Sequence, residues 1–267
     1  MNIRILGSGG AFVDFREEFH TSALLSVSNY GDVLIDCGAT TVQSMKELEI
    51  DYFDPLKCVL ITHMHGDHIG GLEQLIYERY YLSPEPTKTY IYTHPDLAAD
   101  LNLWLVLTVL PFTDRTTGQN SNNAEDIFQV LPWEPETCAL GTCEVEFLRV
   151  PHCGPKKCYG ILFDDPTEEV SIYWSGDSEL PSEEFMADVF DRVDIIFHDC
   201  SFAPSYEGTV HTHYTDLTHF SPLIKNRMVL IHGGKVPEGI DPVADGFIDA
   251  AHRGNESKLL FVPDEDD

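Results

Sequence analysis

Short runs of β-branched, aromatic and aliphatic residues recur along both halves of the chain. They are Ile3 to Leu6, Ala23 to Val27, Val33 to Ile35, Cys58 to Thr62, Thr89 to Tyr92, Cys143 to Val150, Gly160 to Phe163, Ser171 to Trp174, Asp194 to Phe197 and Met228 to Ile231. Runs of this length bounded by turn-forming residues predict strands. Between several of them the apolar positions take helical spacing, which predicts helices over Thr41 to Leu48, Gly70 to Tyr80, Pro95 to Leu107, Ser182 to Val189, Thr215 to Lys225 and Pro242 to His252. Strands gathered in two halves with helices between them imply an α/β chain: two sheets face to face, covered outside by helices. One domain is expected over 1–262, with 263–267 a solvated acidic tail. Thr113 to Asp126 and Ala203 to Tyr214 read as polar loops, each a plausible lid by its length.

The most apolar stretch, Leu101 to Phe112, is about twelve residues long, against roughly 20 for a membrane span. It reads as a buried helix, with an exposed partner-binding helix as the alternative, and no membrane association is expected. The N-terminus runs into a strand pattern without a basic region and apolar core of the secretory type, so a cytoplasmic protein is expected. The 16 Lys and Arg against 45 Asp and Glu give a net charge of −29. Such a field repels polyanions and supplies few phosphate contacts, which argues against long RNA or DNA as a partner. The seven cysteines are expected as reduced thiols. Cys138, Cys143, Cys153 and Cys158 could form a structural metal site, but their spacing is unlike that of zinc ribbons and favours ordinary buried or strand cysteines.

The chemistry is concentrated after Cys58 to Thr62, where His63-Met64-His65-Gly66-Asp67-His68 places four potential ligands at a strand end. A helix would scatter them over several faces. At a strand-to-helix turn they converge, so that His63 and His65 can serve one ion and Asp67 and His68 its neighbour. Ile69-Gly70-Gly71-Leu72 then permits a close approach of backbone to backbone.

This His-x-His-x-Asp-His signature followed by Gly-Gly-Leu resembles that of the metallo-β-lactamase superfamily. Taken singly, His152 and His232 read as ordinary core or loop histidines and Asp177 as a turn residue. In the family's order of motifs, His152 after Val145 to Val150, Asp177 in Trp174-Ser175-Gly176-Asp177-Ser178, and His232 in Ile231-His232-Gly233-Gly234 match the remaining ligand positions. His219 competes for the last position but lies too close to His213 to allow the intervening helix and strand. The resemblance implies a four-layer αβ/βα sandwich of two mixed β-sheets. It also implies two divalent ions, one held by His63, His65 and His152 and one by Asp67, His68 and His232, with Asp177 spanning both. A water shared by them is then the nucleophile, and Asp67 orients it or accepts its proton. Imidazole and carboxylate ligands suit Zn²⁺, with Mn²⁺ or Fe as alternatives.

Within the superfamily, Ile5-Leu6-Gly7-Ser8-Gly9-Gly10-Ala11 and Asp36-Cys37-Gly38 resemble the opening motifs of tRNA 3′-processing endonucleases and their small cyclic-phosphodiesterase relatives. His198-Asp199-Cys200-Ser201-Phe202 resembles their His-Glu-Ala-Thr-Phe, and His213-Tyr214-Thr215 their His-Ser-Thr. That likeness makes Asp199 the carboxylate that orients a general acid, His213. The spacing to His232 suits His211 equally, and the Thr two positions on selects His213. His198 reads as structural, and His20, His94 and His252 have no motif around them. Only 24 residues separate His152 from Asp177, which leaves no room for the endonucleases' tRNA-clamping arm. The expected activity is therefore hydrolysis of a small, cyclic nucleotide or sugar phosphodiester by a protein that could form a homodimer. The alternatives are an acyl hydrolase, such as a lactonase or a thioesterase resembling glyoxalase II, and a tRNA 3′-processing endonuclease without its arm.

Overall fold

The computed structural model describes residues 1–14, 16, 18–134, 138–203 and 209–258. The expected acidic tail lies outside these residues, as do 204–208 of the second expected loop. The first half builds β1 (Asn2–Gly7), β2 (Ser22–Val27), β3 (Gly31–Ile35), α1 (Thr41–Glu47), β4 (Leu56–Ile61), α2 (Gly66–Ile69), α3 (Leu72–Tyr81), β5 (Thr89–Thr93), α4 (Pro95–Val109), the hairpin of β6 (Phe112–Thr113) and β7 (Asn120–Ser121), and β8 (Phe128–Pro132). The second builds β9 (Glu144–Val150), β10 (Cys158–Asp165), β11 (Val170–Trp174), α5 (Glu183–Arg192), β12 (Ile195–Asp199), α6 (Tyr214–Leu217), α7 (Pro222–Lys225), β13 (Met228–Ile231), β14 (Asp249–Ala250) and β15 (Glu256–Lys258).

One sheet runs β15-β1-β2-β3-β4-β5-β8 and the other β14-β13-β12-β11-β10-β9. Both are mixed: pairing is antiparallel from β15 to β3 and parallel from β3 to β8, and antiparallel from β9 to β11 but parallel from β11 to β14. Side chains alternate between the two faces of a strand, and here both faces are covered. Cys58 and Leu60 of β4, with Ile172 and Trp174 of β11, point into the space between the sheets. Val59 and Ile61 point outward onto Val42, Leu75 and Leu101 of the helices over the first sheet. Tyr173 points outward onto Met186 and Val189 of α5. Strands buried on both faces read as continuous apolar runs rather than alternating ones, which is why they stood out in the sequence. The result is the expected four-layer sandwich.

Three local expectations change. Pro242 to His252 is not a helix: one turn closes at Asp245 N to Asp241 O, and Gly246 at φ +96° then turns the chain toward β14. Thr215 to Lys225 becomes two short helices, because Pro222 has no N–H to continue the first and instead starts the second behind Ser221. The stretch expected as the loop Thr113 to Asp126 carries the β6–β7 hairpin around an Asp114 turn, whose Oδ1 accepts from the backbone N–H of Thr116 at 2.9 Å. The suspected cysteine site does not assemble: among the described residues no ligand group includes a cysteine. Cys143 and Cys158 are buried apart, the former facing the Met1 sulfur and the latter the Asp177 carbonyl. Among the described residues no helix is long and apolar enough to cross a membrane.

The parallel strands deliver their C-terminal ends to one edge of the sandwich, where an α/β sheet characteristically binds its ligand. Close packing there depends on Gly38 and Gly71. A methyl group on Gly38 would sit on the Asp67 carbonyl oxygen, and one on Gly71 on the Gly38 carbonyl oxygen. Gly66 has nothing near it. Gly38→Ala is therefore expected to lower unfolding free energy by about 1–3 kcal/mol, whereas Gly66→Ala should be neutral or slightly stabilising. Urea unfolding of both checks this, and equal effects would remove Gly38 from its assigned packing role.

Candidate metal centre

Four strand ends supply the centre. His63 and His65 follow β4, Asp67 and His68 lie in α2, His152 follows β9, Asp177 follows β11, and His232 follows β13. Their donor atoms form two groups, His63/His65/His152/Asp177 and Asp67/His68/Asp177/His232, each within 4.8 Å. In the first group His63 Nε2 and His152 Nε2 lie 3.0 and 3.2 Å from His65 Nδ1. In the second, Asp177 Oδ1 lies 3.0 Å from His68 Nε2 and 3.2 Å from His232 Nε2, and Asp67 Oδ2 lies 3.5 Å from both nitrogens. Asp177 reaches both groups, with Oδ2 placed 3.5 Å from His63 Nε2. All seven residues expected as ligands are thus brought together.

Polar atoms buried here lack the partners that buried polar atoms need. His68 Nε2, His232 Nε2 and Asp177 Oδ1 are inaccessible to water and make no hydrogen bond despite their proximity. Such groups cost several kcal/mol unless something satisfies them. The tautomers explain the arrangement. His68 Nδ1 donates to Asp36 Oδ2 at 2.8 Å, His152 Nδ1 donates to Val210 O at 2.8 Å, and His63 Nδ1 faces Thr62 Oγ1 at 3.0 Å. Each ring spends its proton on Nδ1 and turns the Nε2 lone pair inward, as a metal-ligating imidazole does. The donor set fits divalent cations.

Electrostatics points the same way. Burial alone would lower the proton affinity of His68, but the charges of Asp177 and Asp36 outweigh it and raise that affinity well above the ordinary value. His232 is likewise pulled down by burial yet pushed up to about 9 by Asp177 and Asp199. Burial disfavours the Asp177 carboxylate, and the surrounding His232, His68 and His63 reverse this and hold it well below the usual range. Without cations, protons on two histidines answer the carboxylates.

Several residues that orient the centre were not picked out individually in the sequence. Asp36 accepts from Thr62 N at 2.9 Å and Thr62 Oγ1 at 2.8 Å as well as from His68. It has a left-handed backbone (φ 57°), as does His232 (φ 71°), a strained conformation for non-glycine residues that clusters at functional sites. Asp36 lay inside a motif, which was its only signal. Gly10 packs against the His232 ring, where a Cβ would come within 2.8 Å of Cε1.

The pairing with Asp199 expected of His213 is made by His211 instead. Asp199 Oδ2 accepts from His211 Nδ1 at 2.8 Å and from Ser178 N at 2.8 Å. His211 stacks on His232 with ring centroids 4.6 Å apart and remains partly open to solvent. His213 instead donates from Nδ1 to the Ala203 carbonyl at 3.0 Å and is buried away from the donor groups. Thr212 decides which histidine faces in: its N and Oγ1 both donate to Ser178 O, at 2.8 and 2.9 Å, pinning the segment with His211 beside Asp199. Read from His211, the triplet His211-Thr212-His213 has a hydroxyl residue in second place, as His-Ser-Thr does, and that signal was available. His198 is structural as expected, its Nδ1 donating to the Asp199 carbonyl at 2.8 Å, and His219 stays outside, donating to Thr215 O at 2.7 Å.

Two predictions follow from this wiring. Asp36→Asn tolerates the left-handed backbone but faces a donor toward donors. It should weaken metal affinity by about 10- to 100-fold in competition with a chromophoric chelator; unchanged affinity would deny Asp36 its orienting role. Secondly, a raised folded pKa means that protonated His68 and His232 stabilise the metal-free fold fully below the unfolded value of 6.5, and that the His232 part is lost as pH rises through about 9. His63, His65 and His152 have lowered affinities and are already neutral over that window. Chelated protein should therefore lose melting temperature between pH 7 and 9, and a flat profile would contradict the assignment.

Comparison with known proteins agrees with this fold. The metallo-β-lactamase fold protein YhfI from Bacillus subtilis superposes with a TM-score of 0.70 at 18% identity, covering 96% of this chain and 99% of that one. Human tRNase Z, short form, gives 0.69 at 17% identity, covering 98% of this chain and 100% of that one. At these identities the likeness concerns the fold. By sequence, the anti-Pycsar protein Apyc1 of Paenibacillus sp. (strain J14) is 29% identical over 233 residues, 87% of this chain and 89% of the relative. The family described as Anti-Pycsar protein Apyc1 matches residues 1–256, nearly the whole chain, and the protein therefore belongs to that family.

Proposed function

We propose that the protein hydrolyses the phosphodiester of small cyclic nucleotides, using a centre of two divalent ions, Zn²⁺ by preference. It is a metal-dependent hydrolase of the phosphodiesterase type. The observation that carries the substrate reading is the Asp199–His211 pair beside the two donor groups. An acyl hydrolase can act without such a pair, whereas an alkoxide leaving a phosphodiester needs a proton.

In this reading His63, His65 and His152 hold one ion, Asp67, His68 and His232 the other, and Asp177 both. Imidazole with carboxylate suits Zn²⁺. Bound there, the cations supply an acidified water near neutral pH and positive charge for the phosphoryl oxygens. Asp67, at the rim of the second group, orients the attacking water and accepts its proton. Asp199 fixes the His211 proton on Nδ1 and leaves Nε2 to face the substrate. Burial lowers the proton affinity of His211, and the hydrogen bond and charge of Asp199 more than restore it. The raised proton affinity favours the imidazolium, which would donate from Nε2 to the leaving oxygen. Stacking on His232 keeps the ring from turning away.

Size and charge select the substrate class. The interval between His152 and Asp177 is taken up by β10 and β11, so no arm projects there to clamp a tRNA, and −29 net charge disfavours a long polyanion. A panel of 3′,5′-cyclic mononucleotides, tRNA precursors, lactones and thioesters should give turnover chiefly with the first. His211→Ala should lose about 10²- to 10⁴-fold in kcat on cyclic nucleotides, and much less on bis(p-nitrophenyl) phosphate, whose nitrophenolate leaves without a proton. Equal losses on both, or none, would remove His211 from this role.

A further inference from the structure

His65 departs from the pattern of its neighbours. Its Nδ1 faces the first donor group, but its Nε2 lies 2.9 Å from the Lys156 ammonium. In the form drawn by that contact, Nε2 accepts and the ring proton sits on Nδ1, the atom that would bind a cation. A cation held at Nδ1 would leave the ring proton on Nε2, where two donors would face each other. Lys156 must find another acceptor when the centre is loaded. Among the described residues no carboxylate pairs with Lys156, whereas neighbouring Lys157 is 3.5 Å from Asp96. Lys156 also lines a cavity of about 260 Å³ that opens directly off His63 and His65, with Met64, Leu97 and Pro155 as its apolar wall. An ammonium with no carboxylate partner among the described residues, at the junction of a cationic centre and an apolar shelf, is built for a molecule that is anionic at one end and flat and apolar at the other.

We propose that Lys156 is a substrate-binding residue: it holds a non-bridging phosphate oxygen while the nucleoside lies along Met64, Leu97 and Pro155. This rests on the phosphodiesterase reading above. In a chain this acidic, the contact also offsets repulsion where the substrate's charge arrives. Because the second arm of the test uses inorganic phosphate, the two ideas can fail separately.

The experiment uses metal-loaded protein and the variants Lys156→Ala, Lys156→Arg and Lys57→Ala, the last being a surface lysine remote from the cavity that controls for net charge. Steady-state kinetics on a cyclic mononucleotide and calorimetric binding of orthophosphate are read alongside metal content and melting temperature. Lys156→Ala should raise KM and the phosphate Kd by about 10- to 100-fold with metal content unchanged. Lys156→Arg should retain most of the affinity and Lys57→Ala all of it. If Lys156→Ala binds phosphate as the parent does, if Lys57→Ala loses as much, or if Lys156→Ala sheds metal, the proposal is overturned. Absence of cyclic-nucleotide turnover in the parent would sink the function reading, and the phosphate arm would still decide for or against Lys156.

Discussion

Four carboxylates, Asp36, Asp67, Asp177 and Asp199, are buried at one edge of the sandwich, none more than 7% exposed. Burying that much like charge is prohibitive unless each group is paired or hydrogen-bonded. The pairing has two tiers. Asp36 and Asp199 stand behind the histidines and hold His68 and His211 by a ring nitrogen. Asp67 and Asp177 stand in front, facing the Nε2 atoms of His68 and His232, which make no hydrogen bond. Asp36 is satisfied through both oxygens and Asp199 through Oδ2, whereas Asp199 Oδ1 and Asp177 Oδ1 are buried without a hydrogen bond. That imbalance makes the edge a cation site, and it sets which imidazole nitrogens point inward.

The sandwich exists to bring those groups together. β10 is antiparallel to both β9 and β11, so β9 and β11 run the same way and deliver His152 and Asp177 to one edge. β12 and β13 continue the parallel set and bring Asp199 and His232. Replacing one of these parallel pairings by a hairpin would send a ligand to the opposite edge, some strand length away. The long-range order of the sheets is therefore as much a part of the centre as the side chains.

Much of this was legible in the sequence, for a physical reason. Strands buried on both faces are apolar throughout, and ligands that sit at their ends follow the apolar run directly, as His63 follows Cys58 to Thr62 and His232 follows Met228 to Ile231. What was not legible depends on contacts between segments far apart in the chain. His211 and His213 are separated by one residue; the hydroxyl residue after His211 was the one local signal, and the anchoring of Thr212 on Ser178 is what sets His211 against Asp199. Asp36 is 32 residues from His68, and nothing in the local pattern marks it as the group that fixes that ring. The turn at Pro242 to Gly246 was misread because helical spacing says nothing about a glycine whose φ must be positive.

The centre also draws on both sheets, and this has a consequence for stability. His63, His65, Asp67 and His68 belong to the first half of the chain, and His152, Asp177 and His232 to the second. Away from this edge the two sheets are joined mainly by apolar packing, Leu60 and Ile35 against Trp174 and Phe197, with a few polar links such as Trp133 Nε1 donating to Val145 O at 3.0 Å, and the apolar packing is not directional. At the edge, each donor group contains residues from both halves. A ligand bound to the folded state and not to the unfolded chain stabilises the fold by mass action, and one bound across two sheets stabilises their registration as well. Cations at this centre would therefore do more than chemistry: they would close the side of the sandwich where buried carboxylates otherwise push the sheets apart.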